Sequence, residues 1–361
     1  MLQGRDGFGV SRWLGRAMVL AVIVALGLTQ ATNSAAFPTT DQVVISNAGA
    51  ILAGSLSTFP AGTRANGRPS SHITGTATGF SGNSGAAISP FNLHRYVTNS
   101  LASNVRGFAP GDTGNSAPEV VIGGGFTGIA LPNGIDFDTD GNIWVANFLP
   151  VNVGSGICAP GFAVGTIRAF EPDANGNTFP FGTIAGSCTS LFGPVGIEVD
   201  DTPDNACEAI GLAGPTVWAA NNIAGFVTGY CPGEFGFGEF SLVFFFFTFP
   251  GPDYIALGSS SGEMYVTDPS DNAIDVWNVD PLGGDFGDLE GSIIGKRTKL
   301  KLPQGIAASL EDDVYVANTA ANSFAQFFGD LLGNVRPFSL IRGPNTRLNQ
   351  PVGVALVPEE D

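Results

Sequence analysis

Pro132-Asn133-Gly134-Ile135, followed nine residues on by Trp144-Val145-Ala146-Asn147, returns later as Pro303-Gln304-Gly305-Ile306 with Tyr315-Val316-Ala317-Asn318. Working outward from these two copies, an apolar-x-Asn/Asp element occurs six times, ending at Asn47, Asn99, Asn147, Asn221, Asp268 and Asn318. Behind each stands an apolar-x-x-aromatic pair: Leu56/Phe59, Val105/Phe108, Ile167/Phe170, Val227/Tyr230, Ile274/Trp277 and Phe324/Phe327. A further element, Pro-x-x-x-Ile-x-Gly, closes four units, at Pro69–Gly75, Pro118–Gly124, Pro180–Gly186 and Pro337–Gly343. Ile293-Ile294-Gly295 is a fifth copy without its proline. The isoleucines at 73, 122, 184, 293 and 341 are spaced by 49, 62, 109 and 48. The longest step spans two units, with the phenylalanine-rich stretch 240–249 standing where the missing copy belongs.

Each unit thus holds four short apolar runs, named a (Gly-Ile), b (aromatic-Val-x-Asn), c (apolar-x-x-aromatic) and d (Ile-x-Gly). Short runs rich in Val, Ile and aromatics, punctuated by Gly, Pro, Asn and Asp, read as strands. Asp140-Gly141, between runs a and b, suits a tight hairpin because both residues tolerate positive φ. Four antiparallel strands repeating at this period form the blade of a β-propeller. The chain ends on an a-type run, Pro351–Leu356, and begins its repeats on a b-type run, Val43–Asn47. Joined, the two ends complete a sixth blade and leave no open sheet edge at the closure. The expected fold is all-β, a six-bladed propeller of four-stranded blades closed by pairing the C-terminal strand with the N-terminal blade.

The stretch Leu131–Asn147 resembles the blade pattern of NHL-repeat proteins, Pro-x-Gly-Ile-x-x-Asp-x-x-Gly-Asn-aromatic-Val-Ala-Asp/Asn, almost throughout. The resemblance runs from about Val43 to the C-terminus. It departs at a degenerate second blade, with Ala86-Ala87-Ile88-Ser89 as its run a, at an enlarged a–b segment in the fourth, and at the Phe-rich stretch. It implies a fold more than a function, because propellers host unrelated activities.

Arg5, Arg12 and Arg16 precede an apolar stretch, Ala17–Leu28, and small residues follow at Ser34-Ala35-Ala36. That order is a secretory signal, too short to span a bilayer. Residues 1–35 are read as the signal and 36–361 as one propeller domain, secreted or held in the periplasm or cell envelope. Removing the signal takes away three Arg and one Asp, leaving 12 basic and 31 acidic residues and a net charge of −19. This excludes nucleic acid as a partner and argues against anionic membrane surfaces. No stable membrane insertion is expected after cleavage, and the chain is expected to be monomeric.

The chain has two histidines, His72 and His94, in different blades, which leaves no relay of nucleophile and base. No catalytic residue is assigned. Asp136, Asp138 and Asp140-Gly141 carry calcium-loop spacing, but the twelfth position is Asn147 instead of glutamate. Turn chemistry explains Asp138 and Asp140 as hairpin residues. The six run-b termini (Asn47, Asn99, Asn147, Asn221, Asp268 and Asn318) are the candidate ligand-binding ring, with backbone capping as their structural alternative. The leading reading is a non-catalytic binding or scaffolding module for an unidentified protein, peptide or carbohydrate, needing no cofactor. The alternative, implied by the resemblance to some six-bladed enzymes, is a calcium-dependent lactonase-like hydrolase or lyase. There Glu198 and Asp136 would stand at the channel mouth.

Strand alternation forbids the four consecutive phenylalanines Phe244–Phe247 from sharing one blade interface, so burial on both faces of the blade is expected. The register also separates charge. The a–b and c–d turns collect acids such as Asp136, Asp200, Asp204 and Asp312, whereas the opposite face collects Lys296, Arg297, Lys299, Lys301, Arg342 and Arg347. The same register pairs the cysteines. Cys158 and Cys188 fall on one face and Cys207 and Cys231 on the other, so the bridges Cys158–Cys188 and Cys207–Cys231 are expected.

Overall fold

The computed structural model describes residues 42–49, 54–149, 165–186, 188–235, 242–247, 251–259, 262–283 and 285–357. Among these residues, 24 strands build six four-stranded antiparallel sheets. Blade one joins β1 (Gln42–Asn47), β2 (Ser55–Phe59) and β3 (Ser71–Ile73) to the last strand, β24 (Pro351–Val357). Blade two is β4 (Asn83–Ile88), β5 (Arg95–Asn99), β6 (Asn104–Phe108) and β7 (Val120–Gly123). Blade three is β8 (Pro132–Phe137), β9 (Ile143–Asn147), β10 (Thr166–Phe170) and β11 (Gly182–Ile184). Blade four is β12 (Pro194–Asp200), β13 (Thr216–Asn221), β14 (Phe226–Tyr230) and β15 (Leu242–Phe247). Blade five is β16 (Ile255–Leu257), β17 (Glu263–Asp268), β18 (Ala273–Asn278) and β19 (Leu289–Ile294). Blade six is β20 (Pro303–Ala308), β21 (Val314–Asn318), β22 (Ser323–Phe327) and β23 (Ser339–Arg342). The closure is the expected one: β24 pairs with β1 antiparallel, Val43 opposite Leu356 and Ile45 opposite Val354.

The first strands of the six blades touch in a closed cycle, β24–β4–β8–β12–β16–β20, and so surround a central channel. The motif Pro-x-Gly-Ile explains how closely they approach. In β8, β12 and β20 the register shifts between the proline and the isoleucine, freeing the intervening backbone from its own blade. A Cβ on Gly134 would lie 2.5 Å from the Val195 carbonyl of the next blade, and one on Gly305 the same distance from that of Val352. Only glycine fits this approach. The degenerate blade two keeps the arrangement directly ahead of its expected run a, with Gly85 of Asn83-Ser84-Gly85-Ala86 against the Asn133 carbonyl.

Between blades the core is apolar. Tyr96, Val105 and Ile122 of blade two pack on Ile135, Ile143, Val145 and Phe170 of blade three. A further repeat, Gly-x-x-Thr, lies in five d–a connections, at Thr78, Thr127, Thr189, Thr298 and Thr346, all fully buried. Each hydroxyl donates to the glycine carbonyl three residues back at 2.6–2.8 Å and accepts the N–H two residues ahead. At the rim, Asn115, Asn177, Asn334 and Asn66 each cap this connection from the following blade. Among the described residues that stitch is missing on both sides of blade four.

Blade four carries the insertions. Its outer strand, β15, comes from the Phe-rich stretch; Phe244 is partly buried, 5.4 Å from Trp218 and 5.3 Å from Phe286 of blade five between ring centroids. The rest of the both-faces expectation rests on side chains outside the described residues. Cys207 and Cys231 are bonded and fully buried, with Cα atoms 5.7 Å apart. Cys158, and with it the expected Cys158–Cys188 pairing, lies outside the described residues. A buried disulfide points to an oxidising, extracellular or periplasmic setting. The segment 1–35 lies outside the described residues, and the propeller forms one compact unit, Thr39–Asp361. Among the described residues no helix is long and apolar enough to cross a membrane.

Candidate functional site

The channel is built from two layers of side chains at fixed positions of the first strands. The first layer is the motif glycine: Gly85, Gly134, Gly196, Gly305 and Gly353. In blade five the run reads Pro252-Asp253-Tyr254-Ile255, and a tyrosine replaces the glycine. Its hydroxyl crosses the channel to Ser84 of the opposite blade two, at 2.8 Å, and the Ser84 hydroxyl donates onward to Asn133 Oδ1 at 2.9 Å. Beside it, Gln304 Nε2 donates to Asp253 Oδ2 at 2.9 Å, and Thr319 holds Gln304 Oε1 at 2.7 Å. Tyr254 is buried, and burial raises its phenol pKa. The d–a end of the channel is therefore bridged by a tyrosine on a hydrogen-bonded polar ring.

The second layer lies two residues on, toward the a–b turns. It consists of Ala87, Ala256, Ala307 and Ala355 in four blades, with Asp136 and Glu198 in the adjacent blades three and four. A cavity of about 200 Å³ is lined by residues of this layer and by Tyr254. Both carboxyls border it and are half-buried. Asp136 Oδ2 accepts the Val199 N–H at 2.7 Å, and Glu198 Oε1 takes a longer contact, 3.4 Å, from the Leu257 N–H. Each acid thus reaches the backbone of the next blade. Burial pushes the Asp136 pKa up to about 7, against the pull of its backbone hydrogen bonds. Burial, reinforced by the charge of Asp136, holds Glu198 well above the usual carboxylate range. Two carboxyls in one confined space ionise as a pair.

The sign of the pH effect follows. A carboxyl whose folded pKa lies above its unfolded value keeps its proton in the fold after the unfolded chain has released it. For Asp136, stability then falls as pH rises from the ordinary carboxylate range, near 4, to about 7, and Glu198 acts in the same direction. Asp253, raised by burial to about 6 against its Gln304 hydrogen bond, acts in the same direction. We expect Asp136→Asn/Glu198→Gln to be more stable than the parent at pH 8 by about 1–2 kcal/mol, after discounting for solvent in the cavity. At pH 4 the two should be equal. Urea unfolding at both values checks this, and a variant weaker than the parent at pH 8 would show that the charged pair stabilises the fold.

The run-b termini do different work from a shared ring. Asn47, Asn99, Asn147, Asn221 and Asn318 are fully buried. Each Oδ1 accepts, at 2.8–3.2 Å, a backbone N–H of the connection entering its own blade. Asp268 accepts Ser270 N–H and Oγ–H and Asp271 N–H within its own turn. The three aspartates of the calcium-like spacing also separate. Asp138 accepts from Asn142 and from Trp144 Nε1 in the a–b hairpin, Asp140 is exposed, and Asp136 alone reaches the channel. Among the described residues no three His, Cys, Asp or Glu side chains gather as a metal would require. The acid layer offers two carboxyls and four methyl groups, a poor match to the six to eight oxygens calcium takes. His72 and His94 stay apart, the first on Ser57 Oγ and the second paired with Glu119. Sequence reasoning missed Tyr254 as the channel bridge; the signal was present, since Pro-Asp-Tyr-Ile fits Pro-x-Gly-Ile at every position but one.

No protein-family model matches the chain, and no curated protein does either. Solved structures do. A chain of the nidogen/laminin complex is 12% identical, with a TM-score of 0.58, over 88% of this chain and 98% of that one. A protein of unknown function from Bacteroides caccae is 9% identical, with a TM-score of 0.55, over 89% and 100%. The WD40 β-propeller domain of Doa1 is 8% identical, with a TM-score of 0.51, over 85% and 84%. At such identities the likeness is one of fold, and the fold is a ring of six four-stranded β blades.

Proposed function

We propose that this chain is an exported, non-catalytic binding propeller that takes up a cationic group of its ligand at the a–b mouth of the channel. One observation carries the reading: in a layer otherwise made of alanine methyls, Asp136 and Glu198 stand side by side on a cavity of about 200 Å³. That volume suits an amine or guanidinium on a short chain, not a large substrate. An arriving cation would replace the proton the pair holds and restore its charge, so uptake should strengthen as pH rises through 7. Among the described residues that line the cavity none is a serine, cysteine or histidine, which favours binding over turnover. Residues 1–35 and the buried disulfide fit an exported chain.

Agmatine, with its neutral counterpart 1-butanol as control, tests the site by thermal shift and calorimetry. Agmatine should stabilise the full chain at pH 8, less at pH 6, and not Asp136→Asn/Glu198→Gln. Equal response to the two compounds would sink the proposal. Stoichiometric, tightly held calcium together with lactone hydrolysis would replace it with the enzymatic reading.

A further inference from the structure

The five Gly-x-x-Thr connections share one backbone but not one charge. The residue after the threonine is left-handed in each: Gly79 (φ 63), Gly128 (φ 62), Ser190 (φ 58), Lys299 (φ 64) and Arg347 (φ 58). Glycine takes this conformation freely, whereas a side chain with a Cβ costs about 1 kcal/mol there. Lys299 and Arg347 are nevertheless placed at two of the five, and both are exposed. Among the described residues neither has a carboxylate within ion-pair distance. Arg347 lies near His72 instead, whose charged form it disfavours. Burial, and then the positive Arg347 beside it, hold the His72 pKa below the histidine range.

These two cations do not stand alone. Lys296, Arg297 and Lys301 share the first connection and Arg342 opens the second, all exposed. Six of the fifteen Lys and Arg of a chain with net charge −17 thus flank one blade. Their backbone is already fixed. Asn334 holds the Arg297 N–H at 2.8 Å, Asn318 the Lys301 N–H at 3.0 Å and Asn272 the Leu302 N–H at 2.7 Å. Asn66 and Asn322 do the same for Asn345 and Gln350, at 2.9 and 2.7 Å. Asn66, Asn272, Asn322 and Asn334 are exposed, and an asparagine whose oxygen accepts a backbone N–H keeps its Nδ2 group as a donor; Asn318 is fully buried and adds none. A groove of about 530 Å³ runs along the seam of blades six and one beside Asn66, Asn322, Arg342, Pro344 and Leu348.

We propose that this face, on the b–c and d–a side of blade six, binds an acidic polysaccharide bearing carboxylates or sulfates. Cations and amide N–H groups form an array of donors, which matches a ligand made of anionic groups and sugar oxygens. A protein partner would anchor on buried apolar or aromatic side chains. The residues lining this groove include no aromatic. The site lies at the opposite end of the propeller from Asp136 and Glu198 and stands independently of the channel reading.

The test uses the full chain, a heparin octasaccharide and an oligogalacturonate as probes, with poly-L-glutamate as the rival polyanion. Lys299→Gly/Arg347→Gly is the informative variant, since glycine suits the left-handed backbone and should keep or raise the melting temperature. We expect at least one sugar probe to bind at 50 mM salt, to weaken about tenfold or more at 200 mM, and to lose about tenfold in the variant. Unchanged binding by the variant, or no binding of either sugar at low salt, overturns the proposal. Poly-L-glutamate bound as tightly as the sugars would transfer the surface to an acidic polypeptide.

Discussion

Replacing Tyr254 with alanine is expected to lower the unfolding free energy by about 3–5 kcal/mol, the usual range for truncating a buried aromatic. The ring is buried in a cluster with Val195 of blade four, Tyr265 and Ile274 of blade five, and Ile306 and Val316 of blade six. Removing it leaves a void that stiff neighbouring strands cannot collapse into. The same change takes away the bridge to Ser84 and joins the cavity to the d–a face. Tyr254→Phe separates the two contributions: it keeps the ring, loses only the hydroxyl, and should cost about 1 kcal/mol. Denaturant unfolding of both variants and a crystal structure of the alanine form check this. A loss below about 1 kcal/mol in Tyr254→Ala would mean that the ring is not packed as described.

The second large effect concerns Cys207–Cys231. The bridge spans 24 positions of sequence, so its removal in Cys207→Ala/Cys231→Ala should cost about 3 kcal/mol in the chain-entropy account. Local packing sharpens the expectation. Cys207 is the second residue of a one-turn helix, Ala206–Ala209, capped by Asn205, whose Oδ1 accepts the N–H groups of Cys207 and Glu208. Gly214 and Gly233 meet backbone to backbone between the insertion and the segment after β14. The disulfide joins the β12–β13 insertion to the segment after β14, both within blade four. Reduction should therefore lower the unfolding midpoint and expose residues 201–215 to protease before the remaining blades. An unchanged midpoint under reductant would make the bond a passenger.

Much of the architecture was legible because it is local. Hairpin register follows from turn residues and from alternating burial, and both recur in every unit. Asn147 could be placed at the end of β9, opposite Pro132, from spacing alone. The Cys207–Cys231 bridge followed from topology, since only that pairing of these residues stays on one face. The Gly-x-x-Thr repeat was equally local, yet it was overlooked because its threonine serves the backbone and breaks no hydrophobic pattern.

The channel was not legible in this way. Asp136 and Glu198 are 62 residues apart; the repeat placed both on channel-lining runs, but that both border one cavity beside Tyr254 follows only from the closed ring. Tyr254 and Ser84 are separated by 170 residues and meet only because blades two and five face each other in a ring of six. The asparagines ending run b could as well have formed a polar ring as capped loops; the direction of each side chain was decided by where the connection entering its blade passes. Sequence by itself determined strands, turns, blade number and closure, since each depends on residues within one unit or on its repetition. Tertiary structure alone decided what fills the channel and where charge stands unpaired, since those depend on which residues the closed ring brings together across distances no local interaction spans.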